Sequence, residues 1–233
     1  MSGKHDAEEV RSVWLRPART AKEDPPLSLA RIVEAAVALL DEEGIEQLSM
    51  RRLAQRLGVA APSLYWHVKT KDDVVDLAVD AIFGEVAPAP ERAVGWRDDL
   101  TAVLVAWRTA LLRHPWAAAV TARRRPSLGP NFLAQMETLQ STLVRTGFTD
   151  HALRAATWAL YNHVMGSAST ETALHISDEE RRIGQQRLQS EADRYPTLAA
   201  QRYLYDDDWE GSFHNGLRFL LDGLALQLDT DAP

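Results

Sequence analysis

The chain has 233 residues, 45% of them hydrophobic, and a formal net charge of −7, which is enough for a small domain and a larger one with real cores. It contains no cysteine, which excludes disulfides and thiolate catalysis. No apolar run reaches the ~18 residues expected of a membrane span, and the first residues are polar and charged, so neither an anchor nor a leader is expected and a cytoplasmic location fits.

Residues 1–26 read as a polar N-terminal extension ending in Pro25-Pro26. Arg11, Arg16, Arg19 and Lys22 surround a lone Trp14. This composition suits either an arm laid along a minor groove or a plain chain terminus, and the terminus is the simpler reading. A helix is then expected over Leu29–Glu43, with Ile32, Ala35, Ala36, Leu39 and Leu40 on one face and Gly44 as its stop. Ser49 precedes Met50, Leu53, Ala54 and Leu57, one face of a second helix, and Gly58 suits its left-handed cap. Pro62 fits the first turn of a third helix carrying Ser63, Leu64, Tyr65, Trp66 and His67. Two short helices about a glycine turn form a helix-turn-helix, whose second helix enters the major groove.

Charge supports that reading. Residues 44–71 hold Arg51, Arg52, Arg56, Lys69 and Lys71 against Glu46 alone, a local +4 on a chain of −7. A basic patch on an acidic protein points to localised phosphate contact rather than to a protein that coats nucleic acid. The alternative is a solvated two-helix surface.

Thr70, with Asp73 three residues on, is expected to cap a fourth helix running through Val74, Leu77, Ala78, Ala81 and Ile82. Pro88 to Pro90 marks a loop. Helices are then expected over 96–113, from Pro115 to near Arg123, and through Phe132, Met136, Leu139 and Leu143 to a stop at Gly147. A long helix capped by Thr149 is expected to reach about His175, and a last one to span 209–228. Between them, residues 176–208 are charged and Gln-rich and read as mostly loop, with a short helix after Pro196. The fold class is therefore all-α: an N-terminal three-helix helix-turn-helix domain (27–73) plus a larger helical domain (74–233).

The 151–175 and 209–228 helices mix Gly166, Ser167, Ala168, Gly211, Gly216 and Gly223 with large apolar residues. Interior glycines cost about 1 kcal/mol each, which close helix approach offsets. A homodimer interface or ordinary intrachain packing would both use them. Two heads about 34–36 Å apart on a palindrome favour the dimer. Trp107, Trp116, Phe132, Met136, Trp158, Tyr161, Asn162 and Met165 are candidates to line an apolar cavity with few polar anchors, although such stripes also build cores.

Enzyme chemistry is not indicated. The seven histidines are scattered, and Glu171 with His175 is an incomplete metal pair. There is no glycine-rich phosphate loop and no serine in a nucleophile-elbow context. The chain is read as not an enzyme, with no metal and no cofactor.

The segment IVEAAVALLDEEGIEQLSMRRLAQRLGVAAPSLYWHVKTKDDVVDLAVDAI resembles the DNA-binding domain of the tetracycline-repressor (TetR) family. ALLRHPWAAAV, ARRRP, LVRTGFT and FHNGLRFLLDGLALQL are similar to the C-terminal domain of the tetracycline-repressor branch. The resemblance implies a ligand-responsive transcriptional repressor that binds a double-stranded palindromic operator as a homodimer. A small apolar or amphipathic effector would release it. An activator, or a ligand-independent DNA-binding protein of the same fold, is the alternative.

Carried over by position, the resemblance puts base reading on Met50, Arg51, Ala60, Ala61 and Pro62. Ser63, Tyr65, Trp66 and His67 fall at positions touching phosphates and thymine methyls, and Lys71 at a phosphate contact. Alanine lacks the paired hydrogen bonds that distinguish guanine or adenine, so the operator should differ from the tetracycline operator. In the ligand domain Thr121 stands at the metal-binding histidine position and Ala87 at a drug-anchoring one. Magnesium–tetracycline is therefore not the expected effector. Arg125-Pro126 does match an Arg-Pro step, so Arg125 joins the ligand candidates; the run of Arg123, Arg124 and Arg125 also suits a helix C-terminus.

Overall fold

The computed structural model describes residues 27–86, 95–121, 128–174, 176–201, 203–205 and 208–230. All the regular elements among them are helical: α1 (Leu29–Glu43), α2 (Met50–Leu57), α3 (Ala61–Leu64), α4 (Lys71–Gly84), α5 (Trp96–Arg113), α6 (Pro115–Thr121), α7 (Pro130–Thr146), α8 (Asp150–Ala173), α9 (Asp178–Ser190), α10 (Pro196–Gln201) and α11 (Trp209–Thr230), with single 3-10 turns at Ile45–Gln47 and Tyr203–Tyr205. The chain divides into two compact units. One holds Met1–Arg92 and Thr109–Ser141, the other Ala93–Arg108 and Thr142–Pro233.

In the first unit α1 packs on α2, α4 and α6. Its stripe of Ile32, Ala36, Leu39 and Leu40 is buried, together with Leu53, Leu64, Val68 and Val74. Each of the buried Ile, Leu and Val side chains contributes about 1.5–3 kcal/mol by leaving water, which is why short helices hold here without intrinsic stability. The helix ends are fixed locally. The Ser49 hydroxyl accepts the Arg52 N–H at 3.2 Å. Gly58 turns the chain in the left-handed region at φ 69°, and its N–H reaches back into α2. Thr70 and Asp73 form the full capping box expected of them.

One carboxylate ties α4 to α7. Asp80 is buried and accepts the Phe132 N–H at 2.9 Å and the Asn131 side-chain N–H at 3.0 Å. It thereby serves the unsatisfied first turn of α7. Burial pushes its pKa up, and the bonds from Phe132 and Asn131 oppose that. Gly129 lies against it so closely that an added Cβ would stand 2.0 Å from Asp80 Oδ1. Gly129→Ala is therefore expected to cost about 1–3 kcal/mol in urea unfolding. An unchanged midpoint would mean that the tie gives way freely.

In the second unit α8 and α11 pack together, and α9 packs with α10 and the last 3-10 turn. Arg108 of α5 is buried. It pairs with Glu171 of α8 and with Glu210 of α11 (2.5 Å), and lies 4.8 Å over the Phe213 ring. Removing one partner of such a buried pair is costly, because the other charge stays desolvated.

Three expectations need correction. Residues 176–208 are mostly helical, because Ser177 and Glu180 make a capping box that starts α9. Polarity hid this helix, which buries little. The third helix ends at Leu64; Tyr65, Trp66 and His67 continue as tighter turns, with the His67 N–H bonded to Leu64 O at 2.9 Å. Thr149 occupies the cap position of α8, but its hydroxyl makes no capping bond.

Candidate nucleic-acid interface

The helix-turn-helix buries Leu53, Ala54, Leu64 and Val68 and turns its polar and aromatic side chains outward. Arg51, Ala60 and Pro62 are exposed, Trp66 is 73% exposed and Tyr65 47%. Met50, Ala61, Ser63 and Lys71 are half-buried. An indole left this bare on a well-packed module is unusual unless something covers it.

The cations sort into two groups. Arg56 is held by two 2.6 Å bonds to Glu42, and Arg52 by Glu43 at 2.5 Å and Gln47 at 2.6 Å. The Arg56 guanidinium holds the Glu42 carboxyl below its ordinary pKa. These two arginines are thus engaged with the end of α1 and its following turn. Arg51, by contrast, makes no hydrogen bond or ion pair among the described residues and points into solvent. Lys71 donates to Ile45 O at 3.0 Å, closing the turn after α1 while its ammonium keeps donors to spare. Lys69 is exposed beside the start of α4. Lys69 is not among the contacts expected from the sequence, although its position just before the Thr70 cap is a signal for one. His67 is half-buried, and its Nε2 is enclosed with no hydrogen-bonding partner.

The candidate ligand residues divide between the two units. Trp107, Trp158, Tyr161, Asn162 and Met165 belong to the second unit. There Tyr161 stands edge-on to both Trp107 (6.5 Å between centroids) and Trp158 (5.3 Å). Trp107 and Met165 are buried, whereas Trp158 and Asn162 are exposed. Trp116, Phe132 and Met136 belong to the first unit. The Trp116 indole donates to Asp41 at 2.7 Å, Phe132 packs edge-on against Phe83 at 5.0 Å, and Met136 is half-buried. Thr121 spends its hydroxyl on Ala117 O at 2.7 Å. Ala87, the run from Arg123 to Arg125, and residues 1–26 lie outside the described residues.

The glycines of α8 and α11 also divide. A Cβ on Gly216 would meet His163 at 2.6 Å and one on Gly211 would meet Asp208 at 2.1 Å, so both serve packing within the chain. Gly166 and Gly223 face open space. Around them Trp158, Phe219 (63%) and Leu226 (65%) are exposed, an apolar face on two long helices.

Helices throughout the described residues, with an exposed arginine and exposed aromatics on a packed helix-turn-helix, define a DNA-binding protein. Residues 32–78 match the family described as bacterial regulatory proteins, tetR family, and residues 87–228 match the tetracyclin repressor-like C-terminal domain. The chain belongs to the TetR family of transcriptional regulators. It is 44% identical over 216 residues to an HTH-type transcriptional regulator of Saccharopolyspora erythraea, covering 92% of this chain and 91% of that one. It is 36% identical over 224 residues to the transcriptional repressor DrrR1 of Streptomyces coeruleorubidus, covering 91% and 81%. Among solved structures it is similar to ActR of Streptomyces coelicolor in complex with actinorhodin, with a TM-score of 0.78 at 30% identity over 88% of this chain and 99% of that one. Regulators of this family are not enzymes. No helix among the described residues is long and apolar enough to cross a membrane.

Proposed function

We propose that the protein is a homodimeric repressor that holds a palindromic operator until a small apolar or amphipathic effector releases it. The observation that carries this reading is the exposed surface from Arg51 to Trp66 on an otherwise packed module. In it residues 27–73 are the DNA-binding domain, 74–233 the ligand-binding and dimerisation domain, and 1–26 an extension. Arg51 reads a base edge, and Met50, Ala60, Ala61 and Pro62 offer only apolar contacts. Ser63, Tyr65, Trp66, His67 and Lys71 set the register on the phosphates and thymine methyls. Lys69 is added to the phosphate set. The exposed face of α8 and α11 around Trp158, Phe219 and Leu226 is the dimer contact, as a fourfold helix packing about a two-fold axis would require.

The edge-on series Trp107, Tyr161 and Trp158 supports an aromatic effector site, and ActR in complex with actinorhodin is a precedent in a relative. The metal site of tetracycline repressors does not fit here. Thr121 offers a hydroxyl already bonded to backbone where an imidazole is needed. For an effector to weaken operator binding 100-fold it must favour the released state by about 2.7 kcal/mol.

The experiment is a gel-shift titration on an operator recovered from random DNA. Actinorhodin and magnesium–tetracycline serve as the first two probes. Release by the polycyclic aromatic compound and none by magnesium–tetracycline is expected. Release by magnesium–tetracycline would overturn the effector reading. Raised reporter output in the presence of the gene would replace repressor by activator.

A further inference from the structure

The ends of α1 and α4 are fastened to one place. His114, at the corner between α5 and α6, is buried. Its Nδ1 lies 2.8 Å from Asp41 Oδ1, and its Nε2 lies 3.2 Å from Glu85 Oε1. Asp41 sits in the last turn of α1, and Glu85 caps the end of α4. The corner reinforces both bonds. Trp116 donates its indole N–H to the same Asp41 oxygen at 2.7 Å, and Arg113 reaches Glu85 at 2.7 Å. The indole and imidazole rings stand edge to face at 6.4 Å, so the two fasteners also pack on each other. Arg113, His114 and Trp116, three residues of one Arg-His-Pro-Trp run, therefore face two carboxylates on two helices of the reading head.

The helices concerned position everything that faces DNA. α1 packs directly on α2, and α4 begins at Lys71 beside the turns that carry Tyr65 and Trp66. A second tie, from Asp80 to the start of α7, holds α4 further back along its length. With α1 and α4 gripped at their ends by one imidazole, a shift of the corner moves both helices in the same sense. Asp41 alone, or Glu85 alone, would let one helix follow and the other lag.

We infer that Asp41, Glu85, His114 and Trp116 are positioning residues that set the attitude of the reading head, with His114 coupling α1 to α4. The inference rests on the reading of this chain as a regulated DNA binder, but its geometric part is testable without DNA. Because the chain has no cysteine, Gln55→Cys and Glu137→Cys place two unique spin labels, one on α2 and one on α7. Both positions are exposed. The distance distribution between them is measured in the full chain, alone and with Trp116→Phe, which keeps an aromatic ring and removes the N–H donor, and with His114→Gln.

Each fastener variant is expected to keep its helical content, to widen the label distribution at least twofold and to lose at least fivefold in operator affinity. Asp41→Asn, which still accepts from Trp116 but lacks the charge, is expected to fall between wild type and Trp116→Phe. Unchanged distributions overturn the inference whatever the affinity does. A wider distribution with wild-type affinity overturns it too, because the head would then bind DNA without the clasp. If the wild-type chain selects no DNA, the functional reading fails, while the distance measurement still decides whether the corner holds the head.

Discussion

Arg51→Ala weakens operator binding by about 1–3 kcal/mol and relaxes base preference at one position of each half-site. The reasoning begins with the neighbours. Arg52 and Arg56 carry the same charge on the same helix, yet their guanidinium groups are engaged by Glu43, Gln47 and Glu42. A guanidinium locked in that way has its donors directed at carboxylates of the protein rather than at a duplex. Arg51 alone of the three presents an open fork, and it does so in the first turn of α2. A planar fork matches the paired acceptors of guanine, and the flanking Ala60, Ala61 and Pro62 have nothing comparable to offer. Arg56→Ala is accordingly expected to leave affinity within about twofold, since its loss removes only a solvent-screened pair. Fluorescence-anisotropy titrations of both variants on the selected operator and on its single-base variants check the contrast. Equal losses in Arg51→Ala and Arg56→Ala, uniform across base variants, would reduce Arg51 to a general phosphate contact.

Phe219→Glu abolishes tight operator binding without touching the head. Phe219 is 63% exposed on α11, with Leu226 two turns along and Trp158 exposed on α8. Large apolar side chains exposed on two packed helices are what association would bury. Gly166 and Gly223 meet nothing within 4 Å, so a second pair of helices can approach closely there. A carboxylate at position 219 would have to be desolvated in that interface without a partner, at a cost of several kcal/mol. A lone head contacts half of a palindrome and forfeits the gain of linked sites, so the loss in affinity is expected to exceed about a hundredfold. Sedimentation or light scattering should show the mass halved, with helical content unchanged. A variant that stays dimeric would move the interface elsewhere, and Gly211 and Gly216 could not be invoked for it, because their space is filled by Asp208 and His163.

Much of the fold was legible because the signals were local. Ser49, Gly58 and the Thr70–Asp73 pair each act within four residues, and each does what its chemistry indicates. The stripe of α1 could be read because its apolar spacing answers to a single core face. α9 could not, since its residues are polar all round and its start depends on a cap, Ser177 with Glu180, that sits in a run of charge. The recognition turn was placed correctly, while its tightening after Leu64 is a matter of backbone hydrogen bonding that no side-chain pattern records.

The site was legible to a lesser degree, because pairing is a tertiary property. Nothing in the spacing of Arg51, Arg52 and Arg56 distinguishes the free cation from the two that reach Glu42 and Glu43. By composition Trp116 is one aromatic among several, and no pattern shows that its indole N–H reaches Asp41, seventy-five residues earlier in the chain. Arg108 is buried on α5, and groups arriving from α8 and α11, Ser167, Glu171, Glu210 and the Phe213 ring, make its burial tolerable.

The central claim, a two-headed reader of a palindrome that uses Arg51, is tested most directly by selecting full-length protein on random-sequence DNA and weighing the resulting complex. The expected outcome is an inverted repeat with half-site centres about 34–36 Å apart, occupied by two chains and lost with Arg51→Ala. Recovery of no preferred sequence, or of a single unrepeated site bound by one chain, would contradict it.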